Sequence, residues 1–174
     1  MKKFMISSMM CLMALTSNAQ VMTSAIVDKI YDNVSQAGDT EFVFNADRDA
    51  DGKIVEMVVS QQNPVYRYLY TYAADGMLTS RTKYVWHKQQ WQCAGRHDYS
   101  LAAGLYTASY SRWNKKKACF DEPVGMIAYT LLPDESIASV ACYSRQRSNA
   151  DLHLKWQAPV VGHPLNMDHY LTQK

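Results

Sequence analysis

The chain lacks an apolar run long enough to cross a bilayer as a helix, for which about 20 residues are needed. Its most apolar stretch, Phe4 to Leu15, is too short for that and follows a basic start, Met1-Lys2-Lys3. Ser17-Asn18-Ala19 then places small residues at the two positions a signal peptidase reads. Residues 1–19 are therefore expected to be a cleavable secretory signal, with the mature chain beginning near Gln20 and carrying no transmembrane segment. The alternative is a short buried helix, but basic start, apolar run and small-residue exit occur in the order of a signal. Met9-Met10 before Cys11 argue against a lipid anchor. The implied destination is the periplasm, the cell surface or the medium.

Net charge is also missing. Without the leader, 16 basic residues face 16 acidic ones over 155 residues, which argues against a nucleic-acid binder. Cysteine is scarce. Cys93, Cys119 and Cys142 remain after the leader, an odd number, so at least one stays free or bonds another molecule. No phosphate loop, nucleophile elbow or metalloprotease helix motif is present. Asp121-Glu122 and Asp134-Glu135 are adjacent pairs, which in a strand point to opposite faces and form no acid–base couple. His153, His163 and His169 near the C-terminus do not follow a zinc spacing, even with Asp168. The apolar content of 48% is that of a folded domain.

What is present is alternation. Tyr66, Tyr68, Tyr70 and Tyr72 occupy every second position, the period of a strand. Ala73-Ala74-Asp75-Gly76 follows as a hairpin turn. Met77 to Trp86 returns with Leu78, Tyr84 and Trp86 expected on one face and Arg81 and Lys83 on the other. His87-Lys88-Gln89-Gln90, Ala102-Ala103-Gly104, Asn114 to Lys117, Pro133-Asp134-Glu135 and Ser144 to Asn149 supply further turns. Aromatic anchors recur: Tyr72 and Trp86, Tyr99 and Trp113, Tyr129 and Tyr143 are each fourteen residues apart, with starts 27 and 30 residues apart. Phe42 to Phe44 and Ile54 to Val59 bracket an earlier hairpin. Ile26, Val27, Ile30, Tyr31 and Val34 have helical spacing, with Ser24 as cap. The expected fold is all-β: an antiparallel β-meander of repeated aromatic hairpins over residues 20–158, a short helix at about 24–35, and an extended C-terminal arm, 159–174.

Tyr70 to Arg81, and again Ser111-Arg112-Trp113-Asn114-Lys115-Lys116, resemble the small secreted tyrosine- and tryptophan-rich β-hairpin proteins of gut Bacteroidales grouped as a domain of unknown function. The first hairpin is also distantly similar to the tyrosine-aspartate repeats of large secreted shell proteins. The resemblance covers roughly Phe42 to Trp156. It implies export and β structure and brings no catalytic residues.

Three features could carry function. Asp47, Asp49 and Asp51, followed by Gly52 and Ile54, match the opening of a calcium loop. Val58 stands where the closing bidentate Glu belongs, so an acidic hairpin turn is the simpler reading and calcium the only cofactor to consider. Second, Trp86 with Lys88, Trp113 with Lys115, Lys116 and Lys117, and Tyr143 with Arg145 and Arg147 flank turns expected at one end of the meander. They would form a basic, aromatic rim for an anionic glycan, lipid headgroup phosphates or an acidic envelope protein, unless they are simply solvated turns. Gln20 to Asn63 carries three basic and eight acidic residues, Pro64 to Ala150 eleven and six, so the molecule is polarised. Third, the Tyr66–Tyr72 ladder could stack sugar rings but is better explained as half of a core. Placing Cys93 and Cys119 opposite Arg112, and Cys142 opposite Gly125 or Met126, predicts no intramolecular disulfide. The expected function is non-enzymatic binding of a glycan or protein in the cell envelope; a structural or adhesion component joined through sheet edges and an unrecognised hydrolase are the alternatives.

Overall fold

The computed structural model describes residues 21–36, 41–133, 136–145 and 150–160. The leader, Arg147, His163, Asp168, His169 and nearly all of the C-terminal arm lie outside them. One helix, α1 (Ser24–Gln36), precedes ten strands: β1 (Val43–Arg48), β2 (Ile54–Ser60), β3 (Pro64–Tyr72), β4 (Leu78–His87), β5 (Gln90–Ala102), β6 (Leu105–Asn114), β7 (Cys119–Phe120), β8 (Gly125–Leu131), β9 (Ile137–Ser144) and β10 (His153–Pro159). All pairings are antiparallel in one sheet ordered β1-β2-β3-β4-β5-β6-β8-β9-β10, in which only β6 and β8 are not consecutive, and β7 adds a short pairing to the far end of β6. The meander expected from alternation is the observed topology.

One face of the sheet, here called inner, carries α1 and the core. Val27 of α1 is buried with Ile54, Met57, Val59, Tyr68, Tyr70 and Leu78. A second cluster joins Tyr106, Tyr129 and Ile137, with Met22 and Tyr99 packed against both. The tyrosine ladder is therefore core. Its hydroxyls stay bonded where they can: Tyr72 Oη donates to the Ile54 carbonyl at 2.8 Å. Tyr72, Tyr99 and Tyr129 all lie on this face, and the Tyr99, Tyr106 and Tyr129 rings stack at 6.4 and 5.9 Å.

The N-terminal segment is stitched to the sheet rather than merely laid on it. The Met22 carbonyl accepts from Leu78 N at 2.7 Å, Ser24 N donates to the Gly76 carbonyl at 3.0 Å, and Met22 N donates to Tyr106 Oη at 3.2 Å. The helix cap is Thr23, not Ser24, because the Thr23 carbonyl accepts the first helical bond, from Val27 N at 3.1 Å.

Register departs from simple alternation at bulges. Thr71 pairs Ser80 while Tyr72 pairs Leu78, so Thr79 is an extra residue in β4. Leu78 is thereby placed on the inner face with Arg81 and Lys83, not with Tyr84 and Trp86 as alternation alone requires. In β5 the turn register holds as far as Tyr84 opposite Cys93, and a second bulge at Ala94 then sets Lys83 opposite Gly95. Arg112 faces Gly95 because the β5–β6 hairpin turns at Ala103-Gly104 and runs from Ala102–Leu105 to this pair without a bulge, while Cys119 faces Asn114. Cys142 faces Ile127 on β8 and Trp156 on β10. All three cysteines are unbridged. The strand β10, which carries His153, alternates polar and apolar residues (His153-Leu154-Lys155-Trp156-Gln157-Ala158) yet is exposed along its whole length.

Candidate functional site

In a meander every second turn falls at the same end. The turns after β4, β6 and β9 therefore share one end of the sheet, and the expected rim exists there in part. The β4–β5 turn is the tightest. Lys88 and Gln89 adopt φ of 50° and 61°, a left-handed pair without glycine or asparagine, costing about 1 kcal/mol or more per residue. This two-residue turn sets Trp86 directly opposite Trp91, their rings edge-on at 5.0 Å. At the next turn on this end, Asn114 Oδ1 accepts from Lys116 N at 3.1 Å and Lys117 N at 3.2 Å, while its Nδ2 donates to Asp121. That brings Trp113 opposite Phe120, again edge-on at 5.0 Å.

Between the two aromatic pairs lies an open depression of about 560 Å³ on the outer face, lined by Thr82, Tyr84, Gln90, Trp91, Gln92, Cys93, Trp113, Lys115 and Phe120. Lys115 Nζ donates to Gln92 Oε1 at 2.6 Å across its mouth. Its walls are stiff. Arg67 stacks 5.9 Å from the Tyr84 ring and is held by Glu56 at 2.6 Å, and Arg96 lies 4.4 Å over Phe120 and is held by Asp98 at 2.8 Å. Burial pushes the Cys93 thiol up, so it is a protonated wall group and no thiolate nucleophile.

The sequence-derived site is thus partly assembled. Trp113 and Lys115 line the depression and Trp86 supports it through Trp91. Lys116 and Lys117 are exposed beside it, as is Lys88. Tyr143 pairs Met126 and Leu154, on β8 and β10, and so stands with Arg145 away from the depression. Four lining aromatics or amides, Trp91, Phe120, Gln90 and Gln92, were not singled out by the fourteen-residue spacing. Trp91 had a readable signal: it and Trp86 are equidistant from the turn residues Lys88-Gln89, which makes them cross-strand partners.

The acidic loop is at the opposite end. Asp49 Oδ1 accepts from Asp51 N at 3.0 Å and Lys53 N at 2.9 Å, Asp51 pairs with Lys53 at 3.3 Å, and Asp47 sits opposite Glu56. Gly52, at φ of 80°, closes the turn as Gly76, at 82°, does in the next hairpin on that end. Among the described residues no group of three or more His, Cys, Asp or Glu converges on a common point as metal ligands. Asp47, Asp49 and Asp51 are engaged as hairpin residues, and no step is assigned to a metal there. Among the described residues no helix is long and apolar enough to cross a membrane.

No curated protein matches the chain. A solved structure of a protein of unknown function from Bacteroides fragilis superposes with a TM-score of 0.62 at 22% identity, over 71% of this chain and 94% of that one. Two DUF3836 family structures are more distant: one from Bacteroides vulgatus (TM-score 0.44, 20% identity, 47% and 89% covered) and one from Parabacteroides distasonis (0.41, 23%, 45% and 80%). The first likeness shares the fold. The family model for DUF3836, a family of unknown function, matches residues 1–131, and the chain belongs to that family.

Proposed function

We propose that the protein is an exported, non-enzymatic binding protein of the cell envelope whose ligand is a glycan held in the outer-face depression. The observation that carries this is the meeting of Trp91, Trp113, Tyr84 and Phe120 with the amides of Gln90 and Gln92 in one open, rigid hollow. Sugar rings offer apolar C–H faces that stack on aromatic rings, while their hydroxyls need both donors and acceptors, which carboxamides supply. Lys115 adds a cation for an acidic sugar. Among the described lining residues there is neither carboxylate nor histidine, which favours holding a glycan over cleaving one, since glycoside hydrolysis needs a carboxylate pair.

Affinity electrophoresis of the mature protein through gels containing soluble glucan, xylan, mannan or galactan is expected to show retardation by at least one of them. Trp91→Ala and Trp113→Ala should each weaken it about tenfold or more, the effect of removing a central aromatic anchor, with thermal unfolding confirming that both variants fold. Equal mobility in every gel, or retardation indifferent to both substitutions, rejects the depression as a glycan site.

A second reading is assembly through the sheet edge. The edge strand β10 exposes Leu154 and Trp156, at 51% and 50%, and apolar edges recruit further strands. Concentration-dependent association by light scattering, abolished by Trp156→Lys, is the expected outcome on that reading; a monomer at every concentration refutes it.

A further inference from the structure

Among the described residues that line the outer-face depression, Lys115 alone is charged. Its position is set by the turn after β6. Asn114 Oδ1 gathers the amides of Lys116 and Lys117, and Ala118 completes the turn at a φ of 50°. The Lys115 side chain reaches back to β5, where Nζ donates to Gln92 Oε1 at 2.6 Å. That bond holds the ammonium at the mouth of the hollow, between the Trp91 and Trp113 rings that line it. An ammonium has three donors and no acceptor. Gln92 takes one of them, and its own amino group, turned away from the ammonium, remains a donor. Asp121, on the same loop, accepts from Asn114 Nδ2 at 2.9 Å.

The other outer-face cations of this region are neutralised: Arg67 has Glu56 and Arg96 has Asp98. Lys115 meets a neutral amide instead. Among the described residues no ion pair includes Lys88, Lys115, Lys116 or Lys117. Lys116 and Lys117 are exposed on one flank of the hollow. Lys88 is exposed on the other, in the turn after β4, two strand spacings or roughly 10 Å away. Residues 20–174 carry 16 basic and 16 acidic residues, so this positive rim is a local feature and not a consequence of net charge.

We infer that the depression selects an acidic glycan, one whose sugars carry carboxylate or sulfate groups, and that Lys115 is the residue that determines this specificity. The inference rests on the depression being a glycan site and adds the class of glycan. An acidic group beside a stacked sugar ring meets the Lys115 ammonium and the Gln92 amino group together. The bond to the ammonium is charge-assisted, shorter and stronger than one to a neutral donor. Gln92 positions the ammonium without cancelling its charge, which a glutamate there would do. Lys88, Lys116 and Lys117 add attraction that acts at longer range and is screened by salt.

Calorimetric titration of the mature protein with matched oligosaccharides tests this directly. Trigalacturonate is compared with its methyl ester, and a sulfated galactan oligosaccharide with its desulfated form, so that charge changes while the sugar does not. In at least one pair the acidic form is expected to bind about tenfold or more tightly than its neutral counterpart, and the advantage should shrink as sodium chloride is raised. The pair that responds identifies carboxylate or sulfate as the group held. Lys115→Gln should cut the acid-to-neutral affinity ratio about threefold to fivefold, the effect of one exposed ion pair. Gln92→Glu, of nearly the same shape, gives Lys115 an internal carboxylate and should abolish the advantage. Equal affinity for both forms in both pairs, or a ratio that Lys115→Gln and Gln92→Glu leave intact, overturns the inference; retardation by a neutral polymer in the affinity gels, lost in Trp91→Ala, would then still uphold the depression as a glycan site. Absence of binding in every titration and every gel overturns both.

Discussion

Acidification from pH 6.5 to 4 is expected to remove about 3 kcal/mol of stability through His97 alone. The imidazole lies on the inner face with its ring 4.9 Å from that of Tyr110 and 6.4 Å from that of Tyr99. Burial, then Arg81, then Lys83 push its pKa from near 6.5 down to about 4. The folded protein therefore holds His97 neutral while the unfolded chain protonates it. The stabilising contribution is whole above pH 6.5, declines as the pH falls through that value, and is gone below about 4, where both states bind the proton. Urea midpoints at pH 7 and pH 4.5 check this. In His97→Gln the drop between the two pH values should shrink by most of that amount, the remainder coming from carboxylates titrating in both proteins. An identical drop in the two proteins would show that the imidazole is not held neutral by the fold.

Gly95→Ala should destabilise the protein by about 1–3 kcal/mol, the usual cost of forcing one extra carbon into a filled space. A β-carbon built there meets Tyr110 Oη at 2.6 Å, Tyr110 Cε2 at 2.7 Å and the Ser111 carbonyl at 2.8 Å. The tyrosine could swing away, but the carbonyl belongs to β6, whose ladder to β5 would have to shift. Glycine in a strand interior is ordinarily a weakness. Here the Tyr110 ring lies over it, covering backbone that no side chain protects. The double variant Gly95→Ala with Tyr110→Ala should recover only part of the loss, because the Ser111 contact stays. Denaturant unfolding of the single and double variants measures both numbers, and full recovery in the double variant would mean that the ring alone sets the constraint.

The two expectations meet at one place. Gly95 separates Lys83 from Arg112 along a row, and His97 is the next inward position on the same strand. A β-carbon at Gly95 displaces Tyr110, and a proton on His97 adds a third positive charge beside Arg81 and Lys83.

The strands themselves were legible. Alternating tyrosines from Tyr66 to Tyr72 cannot place all their rings on one side of a helix, and Asp75-Gly76 supplies the left-handed turn residue that a hairpin takes. The core role of the ladder followed from the same pattern, because a face of four tyrosines is too apolar to leave in water. The end of the sheet where the basic turns gather was legible too, since turn order in a meander leaves no choice.

Faces and partners were another matter. A bulge is an event between two strands, and nothing in Thr79 or Ala94 announces that each is an extra residue relative to its neighbour. One such slip exchanges the two sides of everything beyond it. That is why Leu78 joins Lys83 rather than Trp86 and why Lys83 meets Gly95 rather than Ala94, whereas Gly95 stands across from Arg112 because the β5–β6 hairpin turns at Ala103-Gly104. The chain's own chemistry specified that it would fold as hairpins with aromatic faces. Which aromatics enclose the outer hollow, and which side chains share a face across neighbouring strands, was decided by cross-strand register, because local alternation carries no information about how two separately alternating strands are aligned.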